Sequence, residues 1–440
     1  MPKNKSKKGK GRGFQNKGMT SDLLKAGEST NLQDDETLSE ISSVATANSD
    51  HCTEESAASD GIAEPASSED VEMKLKESID GLSEKTAKYR QSCLAVIRKS
   101  LYTTWLVDFL ENFRETLSDG VERCLKKGKG EEQSLAAEVV AMLCVQYGAQ
   151  AEGEEIFNHF KPILTTIILD KSASPTARSK CCLVLGILAF LASDDMEDVL
   201  QCMDSFDTVF RNSFLKGDKS VPTHTPAQMD LHVSALSSWA LLLSITPWLK
   251  VKEFAEKRLP RLPELLQCKD VMMRITAGET IALFFEILRS EEAEGMASRL
   301  VSKRELVEDL SELATDSNKY RAKKDRRHQR SSFRDILRAV QIGESPEDVI
   351  KFNSEVLYLD TWTMKRQYAN LKEVISTGMN FHLKENSLLR NIFQLGPSLL
   401  DSNRNTKGSH FERHLYNQAV FKARSKVRGK QRDKRTGLGT

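Results

Sequence analysis

The chain closes on a dense run of cations. In FKARSKVRGKQRDKR every second residue from 422 to 434 is basic: Lys422, Arg424, Lys426, Arg428, Lys430, Arg432 and Lys434. A second cluster stands a hundred residues earlier, where seven of the twelve residues Lys319–Arg330 are Lys or Arg. Ammonium and guanidinium groups at this density have one general chemistry, the neutralisation of phosphate on a polyanion. The candidate RNA-binding residues are Arg321, Lys323, Lys324, Arg326, Arg327 and Arg330 in the first cluster. In the tail they are Arg413, Lys422, Arg424, Lys426, Arg428, Lys430 and Arg432. A basic tail taken alone serves equally well as a solubilising or address segment. Phe411, Tyr416 and Phe421 have faces on which bases can stack, although packing against protein is the commoner use.

Other chemistry finds little support. His410 and His414 in HFERH share a helical face, but the order is not H-E-x-x-H and no third ligand follows. There is no G-x-S-x-G, P-loop or G-x-G-x-x-G. Glu131/Glu132 and Glu154/Glu155 read as solvated acids in first helical turns. The expectation is a protein without enzymatic activity, metal or cofactor.

Some element must position the basic run. A side-chain period of two belongs to a strand, yet β-branched residues are scarce here. SHFE (Ser409–Glu412) is instead a capping box that starts a helix at His410, and Gly429 suits its stop. Tyr416, Val420, Ala423 and Val427 then form one narrow apolar stripe. The alternating cations divide onto two flanks beside it, a shape suited to a groove with phosphate on both walls.

Net charge is only +1 over 440 residues, because the charge is segregated. Residues 1–18 carry seven Lys/Arg and no acid, and residues 19–80 carry sixteen acids and three bases. Residues 404–440 carry eleven bases against Glu412 and Asp433. The Ser- and acid-rich stretch lacks apolar surface, so residues 1–80 are expected to be disordered. None of the eight Cys forms a C-x-x-C pair, which suggests reduced, buried thiols. The basic N-terminus has no apolar stretch behind it, unlike a secretory signal. The longest apolar run, Cys181–Ala192, is shorter than a membrane span and reads as a buried core helix.

From residue 83 the pattern is helical and repeats. R-x-x-[C/A]-x-x-x-[I/L] occurs at Arg90/Cys93/Ile97, at Arg178/Cys181/Leu185 and at Arg274/Ala277/Ile281. The spacings are 88 and 96 residues, or two units each, with weaker matches half-way at Ser134–Leu143 and Met229–Leu243. Units of about 40–47 residues have the length of HEAT or armadillo repeats. The predicted fold is therefore all-α, an armadillo/HEAT-like α-solenoid over residues 83–342. Trp105, Trp239 and Trp248 are expected in its core. A sixth unit counted from Arg274 starts at Arg321, placing Lys324 and His328 where earlier units are apolar. It reads as the last helix of the array, with a projecting basic start and a docked second half at Phe333, Ile336, Leu337 and Val340. Residues 344–400, with a β-like run Glu355–Leu359 and two helices around Gly378, read as a small cap on the solenoid's end. Residues 409–440 form the basic helix and tail.

Four segments resemble the interferon-related developmental regulator family: RCLKKGKGEEQ, MRITAGETIALFFE, ATDSNKYRAKKDRRHQRSSFRDIL and FERHLYNQAVFKARSKVRGKQRDKR. The resemblance covers about residues 70–435, and NKYRAK and GEEQ are closer to its ribosome-associated branch. It implies an armadillo-like fold without enzymatic activity, and two roles. One is a ribosome-binding inhibitor of translation that occupies the tRNA-binding region and places its C-terminal helix, here His410–Arg428, in the mRNA channel. The partners would be rRNA and ribosomal proteins in the cytoplasm. The other is a nuclear transcriptional co-regulator acting with histone-deacetylase complexes in differentiation. Neither role calls for a membrane or a small-molecule substrate.

Overall fold

The computed structural model describes residues 68–148, 151–291, 293–316 and 322–397. The basic tail 409–440 and residues 1–67 lie outside them. Helices alternate between two rows. α1 (Ser68–Gly81) leads into α2 (Ala87–Thr103), α3 (Val107–Lys127) into α4 (Glu131–Tyr147), and α5 (Ala151–Leu169) into α6 (Pro175–Ala192). α7 (Met196–Phe210) leads into α8 (Pro226–Leu243). α9 (Trp248–Arg258) reaches α10 (Val271–Ser290) through a 3-10 turn, Leu262–Gln267. After the short α11 (Glu294–Leu300), α12 (Lys303–Thr315) leads into α13 (Lys323–Ile342). The second members, α2, α4, α6, α8, α10 and α13, stack in that order as an inner row. This is the expected all-α solenoid.

The repeat seen in the sequence is a register of this inner row. Arg90, Arg178 and Arg274 are each the fourth residue of their helix, and Ser134 and Met229 hold the same place in α4 and α8. The residues three and seven further on, Cys93/Ile97, Cys181/Leu185 and Ala277/Ile281, are buried. The arginines reach back to carbonyls of the preceding turn. Arg90 Nη1 donates to Glu84 O and Lys85 O at 2.8 Å, Arg178 Nε to Ile168 O at 2.8 Å, and Arg274 Nη1 to Cys268 O at 2.7 Å. Each therefore satisfies carbonyls that the turn leaves without helical partners. Pro175 and Pro226 open α6 and α8 behind Ser174 and Thr225 caps, where a missing N–H costs nothing. Gly186 lets α6 approach α8: a Cβ there would lie 2.7 Å from Ser238 Cβ.

Helix α1 departs from expectation. Leu75, Ile79 and Leu82 are buried against the array, so order begins thirteen residues before position 81. The acid-rich composition up to residue 80 masked an apolar i, i+4, i+7 stripe. Trp239 is buried and Trp248 half-buried, but Trp105 is 43% exposed at the α2–α3 corner. Glu132 is also buried, held by Arg90 Nε at 2.7 Å. It is an inter-repeat ion pair rather than a solvated acid.

The segment read as an end cap lies along the array. It starts with a hairpin of β1 (Asp348–Phe352) and β2 (Glu355–Leu359), antiparallel with Ile350 opposite Leu357. It continues as α14 (Trp362–Ile375), a 3-10 turn Ser376–Gly378, α15 (Met379–Glu385) and α16 (Ser387–Ile392). α14 packs on α10, α8, α6 and α4 in turn, and α15 reaches α2. Its start is pinned by Glu286 of α10, which accepts from Trp362 N at 2.7 Å and Thr363 N at 3.0 Å. Arg366 bonds Glu279 of α10 at 2.7 Å and Ser237 of α8 at 2.9 Å. Ser237 in turn donates to Asn370. Further along, Tyr102 of α2 donates to Val374 O, and Asn386 to Val145 O of α4 at 2.9 Å. The hairpin and α16 are joined by a buried pair, Arg390–Glu355 at 2.8 Å. This strap explains why α4 and α6 are buried on almost every face: outer helices cover one side and the strap the other.

Candidate nucleic-acid interface

The described part of the basic cluster is the first two turns of α13. Its register in the row is set by Arg326, the fourth residue of the helix, and not by Arg321, which lies outside the described residues. The row positions that follow are Gln329 and Phe333, both buried. Lys324 and His328 therefore point to solvent instead of replacing core residues. The five-residue displacement comes from α11, inserted between α10 and α12.

Gln329 was not singled out by sequence, yet it anchors the site. It accepts from Arg274 Nη2 of α10, while its Nε2 donates to Leu313 O and Asp316 Oδ2, each at 3.2 Å. One buried amide thus ties α13 to α10 and to the end of α12. A polar residue in an apolar register of an otherwise basic helix was the available clue. Phe333, Ile336 and Val340 dock the second half as expected, and Leu337 packs at their margin.

With the helix held there, Lys323 and Lys324 are exposed, and Arg326, Arg327 and Arg330 are half-buried. The Nε atoms of Arg326 and Arg330 are themselves buried, so these stems lie along the array. The neighbouring α12 has the opposite character. Its exposed Glu305, Glu308, Asp309 and Glu312 crowd one another, and partial burial together with these acids raises the Asp309 pKa. The far half of α13 meets a second network. Burial raises the Asp335 pKa against the pull of Lys365, and Lys365 bonds Asp348 at 2.7 Å. Burial works to lower the Lys365 pKa, but Glu279, Asp348 and Asp335 raise it overall. Lys323 and Lys324 at one end of α13 are thus exposed to solvent, and charge at the other end is internally compensated. The remaining candidates, Arg413, Lys422, Arg424, Lys426, Arg428, Lys430 and Arg432, lie outside the described residues.

Two rows of helices, a strap and a cationic first turn define a helical-repeat scaffold with an electrostatic tip. Comparison with known proteins places the chain more closely. The model of the interferon-related developmental regulator family matches residues 40–341, and that of the interferon-related protein conserved region matches residues 386–436. The human interferon-related developmental regulator 1 is 46% identical over 380 residues, covering 86% of this chain and 83% of that protein. The mouse interferon-related developmental regulator 2 is 44% identical over 391 residues, covering 88% of each. The chain belongs to the interferon-related developmental regulator family. Among solved structures, a designed armadillo repeat protein aligns over 60% of this chain and 99% of its own, with 10% identity and a TM-score of 0.36. An engineered protein from a structural genomics consortium aligns over 60% and 98%, with 13% identity and a TM-score of 0.41.

Proposed function

We propose that this protein binds ribosomes and inhibits translation without performing chemistry of its own. The solenoid acts as a rigid spacer in the tRNA-binding region, and the basic elements hold rRNA phosphates. The C-terminal basic segment enters the mRNA channel. The observation that carries this reading is the exposed cationic first turn of α13, held at the last position of the inner row by Gln329. It gives the scaffold a fixed point of phosphate contact, to which the basic tail adds a second in sequence. The protein then works in the cytoplasm, with rRNA and ribosomal proteins as its partners.

Sedimentation of cell extract on a sucrose gradient tests this. The full chain co-sediments with ribosomes at low salt, and deletion of 409–440 moves part of it to the top. A phosphate contact weakens steeply with salt. If the full chain stays at the top, the ribosome reading is lost. The second role implied by the family resemblance, a nuclear scaffold for histone-deacetylase complexes, then takes its place.

A further inference from the structure

The turns of the array segregate charge by edge. Inner-row helices run parallel: Arg90 meets Glu132 at the starts of α2 and α4 and Gln146 donates to Leu101 O at their ends, and Arg274–Gln329 with Arg289–Ala339 does the same for α10 and α13. Every turn from an outer to an inner helix therefore lies on one edge, and every return turn on the other. Contacts join neighbouring turns on the first edge. Arg90 meets Glu132, Ser174 Oγ stands 4.0 Å from where a side chain on Gly130 would begin, and Leu215 N donates to Glu264 at 2.9 Å.

On this edge each turn exposes at least one lysine: Lys85, Lys129, Lys171, Lys216, Lys269 and Lys324. Its carboxylates serve the turns but keep their charge, and exposed Lys88, Lys127, Lys219 and Lys257 add to the edge's positive side. Asp170 accepts from Ser172 N at 2.8 Å, Asp218 from Ser220 N at 2.9 Å and Asp270 from Met273 N at 2.8 Å. Exposed Glu84, Glu131, Asp170, Asp218 and Asp325 interrupt the row, making it a string of positive points rather than a sheet. The return edge instead exposes Asp108, Glu154, Asp194, Glu197 and Glu291, with Lys252 beside Glu253 at the α8–α9 turn. Helix capping does not produce this division, because each edge collects N-termini of one row and C-termini of the other.

We infer that the lysine edge is a track for an RNA backbone, running from the α1–α2 turn to the basic start of α13. This rests on the nucleic-acid reading above and extends it from one helix to the length of the array. Stacked helices lie about 10 Å apart, so the cations recur at a regular interval along a line, as a linear polyanion requires. Continuity with Lys323 and Lys324 favours RNA over an acidic protein, and Tyr89, exposed beside Lys85 and Lys88, offers a ring for a base.

The test uses the full chain with Lys129, Lys171, Lys216 and Lys269 all changed to Glu. A control carries the same charge change elsewhere, at Lys99, Lys252, Arg304 and Lys351, all exposed. Binding to a long and a very short oligo(U) is read by fluorescence anisotropy across a salt series. The edge variant loses at least about tenfold in affinity for the long RNA, its log–log salt slope falls by about three, and the short RNA is affected less. The control stays within about twofold of wild type, since charges off the track make no phosphate contact to lose. Equal loss in both variants, or no loss in the edge variant, overturns the track. Equal competition by polyglutamate overturns RNA as its occupant. Ribosome co-sedimentation of the edge variant keeps the failures apart: a chain that still co-sediments but has no edge dependence retains the functional reading alone.

Discussion

α10 and α13 occupy successive places in the same row, in the same register, and have different fates. Arg274, Ala277 and Ile281 of α10 correspond to Arg326, Gln329 and Phe333 of α13. Arg274 is buried beneath neighbours, whereas Arg326 is half-buried. The next repeat and the strap together make the difference, since Gln329 of α13 closes over Arg274. α14 crosses α4, α6, α8 and α10 and stops short of packing along α13. A row helix with cover on both sides must be apolar or pair its charges, as α10 does with Arg274, Glu279 and Glu286, and one with a single covered face can carry charge on the other. Repeat position therefore sets the backbone register, and cover sets what the side chains can be.

The strongest way to break this contrast is to release the strap. Arg390→Ala leaves Glu355 buried without its partner and should cost about 3–5 kcal/mol, measured by urea unfolding. Hydrogen exchange should show protection lost in α4 and α6 and largely kept in α13. Next comes the paired arginine. Arg274→Ala removes charged bonds to Cys268 O and Gln329 and should cost about 3 kcal/mol, against less than about 1 for Arg326→Ala. The glycines sharpen the same point. Gly186→Ala drives a Cβ into Ser238 Cβ at 2.7 Å and should cost about 1–3 kcal/mol. Gly278→Ala meets Ile336 Cδ1 at 2.9 Å and the buried Phe333 ring at 3.0 Å and should cost about 1 kcal/mol, since helix propensity offsets part of the crowding.

Acid should also loosen the strap. His382 of α15 is fully buried, and burial depresses its pKa to about 4 from an ordinary 6.5, against a bond to Leu101 O that raises it. A depressed histidine contributes stability above pH 6.5, and this is lost as pH falls towards 4. The loss is about 1–2 kcal/mol between pH 7.5 and 5. His232 behaves alike, so His382→Gln should remove only part of the slope. The smallest effect on stability belongs to Lys323→Glu with Lys324→Glu, within about 0.5 kcal/mol, although polyanion binding should weaken.

The row register was legible because short-range period and composition encode it: an arginine for turn carbonyls, a small residue for close approach, an aliphatic for the core. The docked half of α13 was legible for the same reason, as was the break at Gly378. The strap's course was not, because its anchors join residues far apart in sequence, such as Arg366 to Ser237 and Asn386 to Val145. Its trace was nevertheless present in helices too apolar for a two-layer array, Glu131–Tyr147 and Pro175–Ala192. The basic start of α13 was found by composition. Its register was missed because counting repeats does not reveal an inserted helix. Arg90 and Glu132 are opposite charges one repeat apart, a signal that a reading of each helix alone overlooks.

Footprinting lysines of the full chain with an acetylating reagent, alone and with purified ribosomes, tests the lysine edge and the start of α13 together. Ribosomes should protect Lys323 and Lys324 together with Lys129, Lys171 and Lys269, while Lys99, Lys252 and Lys351 stay reactive. Equal reactivity of both groups in the two states would contradict that assignment.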